Sequence, residues 1–385
     1  MNNLVKFTTL FFFFTSVFEL VFVNIPHSVK TLVLGVFVLM ELNRKREFSA
    51  PIIGFVLCIF LSCISSYVFR GQHNIYTTFT QSFTYLSLAF YFVCLRLKIS
   101  ISDLEKSLVF IGLVSVGGYI LQYEIYPTAL FHDALKDYDK EIRVRMCGSI
   151  IYSFLFFFGV NKYVTKKTFK YILYSALSFI CIAIMGFRSL TISLLAIGLM
   201  EYLYLTGLSA KRLKQLIPLV VVIVVVSQLD IVTNKFLEML SRQESGQSFD
   251  NDDYIRFVEL DYYWNNYFTN NIERFFGSGL PVMGTDLYNL QRTNFMFNLY
   301  WNDWGLLGLS WIYGIPAVCL LYFLYLKVIF SKIPKDYIYL KAIFIFLILT
   351  SLTSAEAFRS GNLLLQGAFL YLVMKVKNNE EKLHG

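Results

Sequence analysis

Long runs of apolar residues recur along the 385-residue chain, and they constrain its fold more than any other feature. About twelve of them have a length of about 17–25 residues, the length of helix that crosses a hydrocarbon core about 30 Å thick. Hydrophobic residues make up 56% of the sequence and charged residues 16%, whereas soluble domains average about 25% charged residues. The residues outside these runs are too few for a soluble catalytic domain or a nucleotide-binding domain. We therefore expect an all-α, polytopic membrane protein.

The predicted spans form a single transmembrane domain over residues 1–385. The first apolar run contains Glu19 and lacks a small-residue cleavage site. We therefore interpret it as a retained span and not as a cleaved signal sequence. The predicted spans are 7–23, 27–42, 50–69, 76–95, 107–126, 148–164, 170–187, 189–205, 216–233, 304–330, 338–355 and 362–376.

The net charge of +8 comes mainly from the links between spans, and alternate links are rich in lysine and arginine. Such placement indicates membrane topology before it indicates an acidic partner, because basic links stay on the cytoplasmic side. We therefore expect both termini in the cytoplasm, and we expect no nucleic-acid partner. The opposite, periplasmic side then carries a large loop, 234–303, and a smaller one, 127–146. The basic links contain Arg44 to Arg46; Arg96, Lys98 and Lys106; Lys162, Lys166, Lys167 and Lys170; Lys211, Arg212 and Lys214; Lys332 and Lys335; Lys375 and Lys377.

The large loop contains one segment with a helical pattern. Asp250 or Asn251 is a suitable helix cap, and two stripes of apolar residues follow at helical spacing: Ile255, Val258 and Tyr262; Leu260, Trp264 and Phe268. Such a helix either lies at the lipid–water boundary or packs its aromatic residues onto the bundle. Both alternatives keep Arg256 close to the membrane surface.

The familiar catalytic and metal-binding motifs are missing from this sequence. Its four histidines are scattered without the paired spacing of a metal site, and its six cysteines lie in or beside apolar runs without zinc or redox spacing. We therefore predict free thiols and no metal or cofactor. Arginines in apolar or interfacial settings are the remaining candidates for chemistry.

Arg188 lies between two apolar runs, where an unpaired guanidinium costs several kcal/mol. It is either a snorkelling residue at an external turn or an anion clamp, because a guanidinium holds phosphate oxygens through paired N–H donors. Arg256 has the same two interpretations. It either binds a ligand or forms an ion pair on its own helix with Asp252, Asp253 or Glu259.

Three further arginines have ordinary alternatives beside a ligand role. Arg359 lies in the last external link, at a spacing from Glu356 that suits a local salt bridge. Arg143 and Arg145, in the smaller loop, are either surface charges or additional contacts to a diphosphate.

The glycines of the large loop and of the span that follows it are weaker evidence for a ligand site. Gly277 and Gly279 permit a tight turn in which the backbone closely approaches a ligand, although such turns are common in loops. Gly305 and Gly308 are more typical of helix packing than of ligand contact. Arg274, beside the first turn, is interpreted as an ordinary surface charge.

The order of these motifs resembles the O-antigen polymerase and O-antigen ligase superfamily of bacterial membrane enzymes. An arginine and a small residue open an apolar span, and a large external loop precedes the last three spans. That loop carries an arginine with a downstream tryptophan, then a Phe-Gly-x-Gly turn, then a polar residue ahead of a Gly-x-x-Gly. The corresponding residues here are Arg188 and Ser189; Arg256 and Trp264; Phe276 to Gly279; Asn294, Gly305 and Gly308.

The resemblance implies a GT-C-like fold in the bacterial inner membrane and a metal-independent, inverting glycosyl transfer. The implied substrate is an undecaprenyl-diphosphate-linked oligosaccharide, which is polymerised into O-antigen or capsular polysaccharide. Membrane lipid, a chain-length regulator and a flippase are the implied partners. Arg188, Arg256 and Asn294 are the implied catalytic residues, and Asn294 replaces the histidine expected in a ligase.

Other residues are expected to bind substrate or accept a proton. Aromatic faces match the apolar faces of sugar rings, which makes Tyr254, Trp264 and Trp301 candidates for sugar contact. The base that receives the acceptor proton is left open among Asp253, Asp303 and Glu356. Two alternative functions also remain open: a ligase that transfers glycan to another acceptor, and a flippase or secondary transporter that forms no bond.

Overall fold

The structure is a computed structural model that describes residues 3–384 apart from 45, 73, 127, 132–134, 139–140, 145–147, 208–254 and 353. Over these residues the chain is helical except for one two-stranded antiparallel hairpin, β1 (Leu135–Tyr138) and β2 (Glu141–Val144). Lys136 lies opposite Arg143 in its register. The all-α expectation therefore holds for the described part of the chain apart from this hairpin.

The described helices follow the predicted spans closely in order and position. They are α1 (Asn3–Phe14), α2 (Ser16–Glu19), α3 (His27–Glu41), α4 (Ser49–Arg70), α5 (Ile75–Gln81), α6 (Phe83–Leu86), α7 (Phe90–Leu97), α8 (Ile101–Glu124), α9 (Ser149–Lys166), α10 (Lys170–Ile184), α11 (Arg188–Thr206), α12 (Ile255–Asp261), α13 (Asn271–Phe276), α14 (Asp286–Met296), α15 (Gly305–Tyr313), α16 (Ile315–Ile329), α17 (Tyr339–Thr350) and α18 (Asn362–His384). The predicted span 216–233 lies outside the described residues.

Three of these helices are long and apolar enough to cross a membrane: α4, α8 and residues Ser189–Thr206 of α11. Shorter apolar helices accompany them, among them α1, α10, α16 and α17. Every residue of α9 from Ser149 to Lys162 is buried, so α9 lies in the middle of the bundle. A helix that is apolar on all sides is buried in this way because no face is left for water. The chain thus has the character of a helical membrane protein, as its apolar runs predict.

The links between helices gather at two ends of the bundle. At one end, Lys377 and Lys327 both contact Glu47, at 2.5 and 4.0 Å, and Lys162 contacts Glu105 at 3.0 Å. We call this the basic end, because the basic links that the structure describes meet there. The opposite end collects the links near residues 20, 71, 130, 187, 255–304 and 351–361, and we call it the loop end.

Both ends of the chain approach the basic end. Phe14 stacks on Phe83 at 6.0 Å, and Phe7 contacts Phe90 at 5.6 Å. Helix α1 therefore runs antiparallel to the segment 83–97, which leads to the basic end. Lys377, near the C-terminus, contacts Glu47 there.

Three predicted spans are not continuous helices. Residues 304–330 form α15 and α16, which are separated at Gly314, where φ is +87°. Residues 76–95 are divided at Ser82. In the first span α1 ends at Phe14, and Ser16 to Glu19 adopt positive φ angles of 50–61°. This left-handed turn costs about 1–2 kcal/mol per residue, and it places the Glu19 carboxylate where it accepts a hydrogen bond from Ser360.

Candidate functional site

The Phe-Gly-Ser-Gly turn of the large loop is inserted into the break between α15 and α16. The amide N–H of Ser278 donates to the carbonyl of Trp311 at 3.0 Å, and that of Gly279 donates to Ile312 at 2.9 Å. These carbonyls belong to the last turn of α15, which cannot satisfy them internally. The loop therefore completes the hydrogen bonding of a broken, largely buried helix.

Gly277 and Gly279 are required at this turn because the chain itself occupies the space of their missing side chains. A Cβ at Gly277 would lie 2.6 Å from the amide nitrogen of Gly314, and one at Gly279 would lie 2.7 Å from Cβ of Ser66. Both glycines also have positive φ angles, +87° and +73°. The close approach predicted for a ligand is made here to the protein's own helices.

A buried ion pair holds the same part of the loop to α4. The guanidinium of Arg70 contacts the carboxylate of Glu273 and the carbonyl of Tyr267, and it lies 4.7 Å from the centre of the Tyr267 ring. The other carboxylate oxygen of Glu273 accepts from the backbone and hydroxyl of Thr269, at 2.9 and 2.8 Å. The sequence analysis missed this pair. Its two members are 203 residues apart, so no local spacing could have indicated it.

The helix predicted in the large loop is present as α12, followed by one π-helical turn over Tyr262–Asn266. The cap residues Asp250 and Asn251 lie outside the described residues. Ile255, Phe257 and Val258 on α12 are exposed, and so is Trp264 of the second predicted stripe. The tyrosines at 263 and 267, which belong to neither stripe, pack inward, and the choice between the two alternatives stays a prediction.

The π-helical turn positions Asn294. The hydroxyl of Tyr262 donates to Oδ1 of Asn294 at 2.9 Å, and the ring of Tyr263 stacks on Trp311 at 4.5 Å. Asn294 is 4% exposed, and among the described residues its Nδ2 has no hydrogen-bond partner. A held amide with an available N–H donor is suited to orient a polar ligand.

Glu259 is a buried carboxyl on α12, the helix that precedes the π-helical turn contacting Asn294. Its Oε1 accepts from the amide of Tyr300 at 2.9 Å. The indole N–H of Trp304 also lies close to this carboxyl and favours its charged form. Burial raises the pKa of Glu259 to about 7; the Tyr300 amide and Arg256 act against this rise, and the negative charge of Asp303 adds to it.

Among the described residues of the large loop, Glu259 is the carboxyl whose pKa is raised to about 7. A carboxyl with a pKa near neutrality is suited to exchange protons at physiological pH. The sequence analysis named Glu259 only as an ion-pair partner of Arg256. Its burial depends on Tyr300, which lies 41 residues further along the chain.

A second polar cluster lies in the link between α17 and α18. The Glu356 carboxylate is fully buried, accepts from the hydroxyl of Ser149 and forms an ion pair with Arg359 at 2.6 Å. The predicted local salt bridge is therefore present. The Arg359 guanidinium also lies 5.5 Å from the ring of Phe187, the residue directly before Arg188.

Trp301 connects the large loop to this link. Its ring stacks on Phe358 at 5.8 Å and is almost parallel to it, at 14°. Gly305 and Gly308 allow the same approach: a Cβ at Gly305 would lie 2.7 Å from the carbonyl carbon of Ser351, and one at Gly308 would lie 2.8 Å from that of Trp301. These two glycines serve packing in this structure.

An apolar groove of about 550 Å³ runs from the large loop down the side of α15 and α16. Arg274 and Trp264 lie at its loop-facing part, where the guanidinium of Arg274 contacts the Trp264 carbonyl and lies 5.8 Å from the indole. Trp304 also lines the groove, so the groove adjoins Glu259. Its lining residues are Trp264, Phe268, Arg274, Trp304, Leu307, Ser310, Trp311, Ile315, Val318, Cys319, Tyr322, Ser351 and Leu352.

The structure thus brings several predicted site residues together at the loop end. Asn294 accepts from Tyr262, just after α12, and the charges of Arg256 and Asp303 act on Glu259. Trp301 stacks on Phe358, in the link that holds Glu356 and Arg359. Other predicted residues cannot be placed fully. Asp253, Tyr254 and Arg145 lie outside the described residues, and the backbones of Arg188 and Arg143 are described without their side chains.

The described side chains include no group of three or more His, Cys, Asp or Glu residues suited to hold a metal ion. They form two polar clusters, one of Glu259 with Tyr300 and Trp304 and one of Glu356 with Ser149 and Arg359, and Arg274 and Trp304 line the apolar groove. A guanidinium at an apolar groove can bind an amphiphilic anion, and a carboxyl can accept a proton. No family model, curated protein or solved structure matches this chain.

Proposed function

We propose that this protein polymerises lipid-diphosphate-linked oligosaccharide repeats on the outer face of a bacterial inner membrane. In this proposal the chain crosses the membrane twelve times in a GT-C-like arrangement, with the basic end and both termini in the cytoplasm. The loop end then faces the periplasm. The observation that carries the proposal is an apolar groove lined by Arg274 and by Trp304, the residue whose indole lies close to the buried Glu259 carboxyl.

The groove suits the lipid part of such a substrate. Its walls are mainly aromatic and aliphatic, and apolar burial contributes about 25 cal/mol per Å². A polyprenyl chain in the groove would bring its diphosphate towards the arginines of the loop end. Guanidiniums remain charged and hold phosphate oxygens through paired donors.

The reaction follows from the chemistry of these groups. A sugar hydroxyl of the incoming repeat attacks the anomeric carbon of the growing chain, and the bond from that carbon to the diphosphate oxygen breaks with inversion. Arginines at the site stabilise the negative charge that collects on the departing diphosphate. In our proposal these are Arg256 and Arg188, with Arg359, Arg143 and Arg145 as further anion contacts.

The acceptor proton requires a base, and we propose Glu259 for this role ahead of Asp303 and Glu356. Glu356 is already held in an ion pair with Arg359 and accepts from Ser149, whereas Glu259 accepts from the Tyr300 amide and forms no ion pair within the described residues. A carboxyl with a pKa near 7 exists partly as carboxylate at neutral pH and accepts a proton readily there. Asn294 orients the acceptor sugar through its available N–H donors.

Purified protein in lipid vesicles tests the proposal directly. Supplied only with lipid-linked repeat units, it should convert them into a ladder of longer chains. Transfer onto a different acceptor, with finished chains accumulating on the carrier lipid in cells that lack the protein, would indicate a ligase. Movement of the lipid-linked repeat across the vesicle membrane, without a new glycosidic bond, would indicate a flippase. Either result would refute the polymerase assignment.

A further inference from the structure

A second cavity of about 550 Å³ opens at the basic end, far from the groove of the loop end. It lies where α3, α7 and α18 end near one another. Its lining is largely polar and positively charged, and we call it the basic cavity. The lining residues are Glu41, Arg44, Arg46, Leu95, Lys98, Tyr371, Met374, Lys375, Asn378 and Asn379.

The charge of the basic cavity favours an anion. Four cationic side chains face one carboxylate, Glu41, which gives a net lining charge of +3. Glu41 is fully buried and forms ion pairs with Arg44 at 3.0 Å and with Arg96 at 3.8 Å. Its charge therefore orients the guanidiniums of Arg44 and Arg96, and Glu41 is the one carboxylate in the described lining of the cavity.

Packing between helices fixes the positions of these cations. Lys98 ends α7 in a left-handed conformation, with φ of +51°. The next residue, Ile99, accepts a hydrogen bond from the hydroxyl of Tyr371 on α18 at 2.9 Å. Lys375, one turn further along α18, lies 5.8 Å from the centre of the Tyr371 ring. Cations from three chain segments that are distant in sequence thus converge at the cavity.

Apolar surface adjoins the basic cavity. Leu95 and Met374 are buried in its wall. Helix α3, which ends at Glu41, exposes Leu32, Leu39 and Met40, with exposed fractions of 66%, 70% and 54%. A molecule with an anionic head in the cavity and an apolar tail along α3 would satisfy both features, whereas a free anion would use only the first.

We propose that the basic cavity binds the phosphate headgroup of an anionic membrane lipid, with its acyl chains lying against α3. Lysine and arginine near a membrane surface attract such headgroups, and basic pockets between helices at the cytoplasmic side are suited to hold them. The site requires neither the loop end nor any reaction there, so the proposal stands apart from the proposed polymerase activity.

The experiment compares lipids on the detergent-purified full chain by native mass spectrometry. Phosphatidylglycerol should remain bound where phosphatidylcholine with the same acyl chains does not, and inorganic phosphate should not displace it. The double substitution Arg46→Gln with Lys98→Gln should weaken phosphatidylglycerol binding about 25-fold, about fivefold for each cation removed.

The matched control is Lys166→Gln with Lys167→Gln. Substituting these exposed residues removes the same charge at the same end of the bundle. Lys167 also follows α9 in the same left-handed conformation in which Lys98 follows α7, with φ of +52°. The control should bind phosphatidylglycerol within about twofold of wild type, because its cations lie outside the lining.

Three results would overturn the proposal. Equal weakening by the two double substitutions would show a general charge effect and no specific cavity. Equal binding of both lipids by the wild-type protein, or displacement by inorganic phosphate, would exclude an anionic-lipid site without depending on any variant.

Discussion

Replacing Gly277 with alanine should detach the large loop from the break between α15 and α16. A residue with the backbone conformation of Gly277, φ +87° and ψ +161°, is tolerated almost only as glycine and costs about 1–3 kcal/mol with a side chain. The added Cβ would also lie 2.6 Å from the nitrogen of Gly314. That overlap costs about 1–3 kcal/mol as overpacking, and it threatens two backbone hydrogen bonds worth about 1 kcal/mol each.

Gly284 provides the matched control for this substitution. Its φ is +86°, so alanine meets a similar backbone strain there, but nothing lies within 4 Å of its added Cβ. Gly284→Ala should therefore cost only the strain, about 1–3 kcal/mol. Gly277→Ala should cost about 3–5 kcal/mol more, from the overlap and the two hydrogen bonds.

Tryptophan fluorescence measures this difference, because the four tryptophans of the chain all lie between residues 264 and 311. In Gly277→Ala the fluorescence transition on heating in detergent should move to lower temperature and separate from the loss of helical circular dichroism. In Gly284→Ala the two signals should stay close together. If both variants shift the fluorescence transition equally, insertion of the turn into the helix break does not stabilise the loop.

Three further predictions follow. If Glu259 is the base, the rate of wild-type chain extension should rise as pH increases through about 7, while the rate of Glu259→Gln should be low and independent of pH. The pKa of this carboxyl is higher in the folded state than its ordinary 4.5, so wild-type stability relative to that variant should fall as pH rises from 4.5 through about 7. Parallel pH profiles of the two proteins would contradict both expectations. Arg70→Ala should lower the free energy of unfolding by about 3–5 kcal/mol by stranding the buried Glu273 carboxylate, whereas the exposed Arg292→Ala should change it by less than about 0.5 kcal/mol in the same denaturation measurement. Arg256→Ala and Arg188→Ala should abolish chain extension at normal membrane abundance, with lysine restoring little because it loses the paired donors; near-wild-type chain length in both alanine variants would refute the clamp.

Much of the helical layout could be predicted from the sequence because apolar length and charge placement are local properties. The breaks within the predicted spans were harder to predict from the sequence. One of them has a sequence signal, because Gly314 is followed two residues later by Pro316, and this pair interrupts a helix. The division at Ser82 had no comparable signal. There Ser82 donates back to the carbonyl of Thr78, a bond that serine also makes inside continuous helices.

The candidate site could be predicted only in part, because burial comes from contacts that are distant in sequence. Glu356 was identified from its spacing to Arg359 and Asn294 from the resemblance, but the burial of Glu259 depends on Tyr300. Arg274 looked like a surface charge, and only the folded loop places its guanidinium against Trp264 and Phe268. The roles of Gly277 and Gly279 were ambiguous for the same reason, since a close backbone approach has the same sequence signal whether a ligand or a helix is its partner.

The insertion of the Phe-Gly-Ser-Gly turn limits how this protein can be re-engineered. A foreign loop grafted between the helices would leave the carbonyls of Trp311 and Ile312 without donors in an apolar setting, unless it supplied two amides at the same positions. Exchange of substrate preference between such proteins should therefore succeed when the loop and the interrupted helix are transplanted together. Chimeras with junctions between these two parts should fail to accumulate.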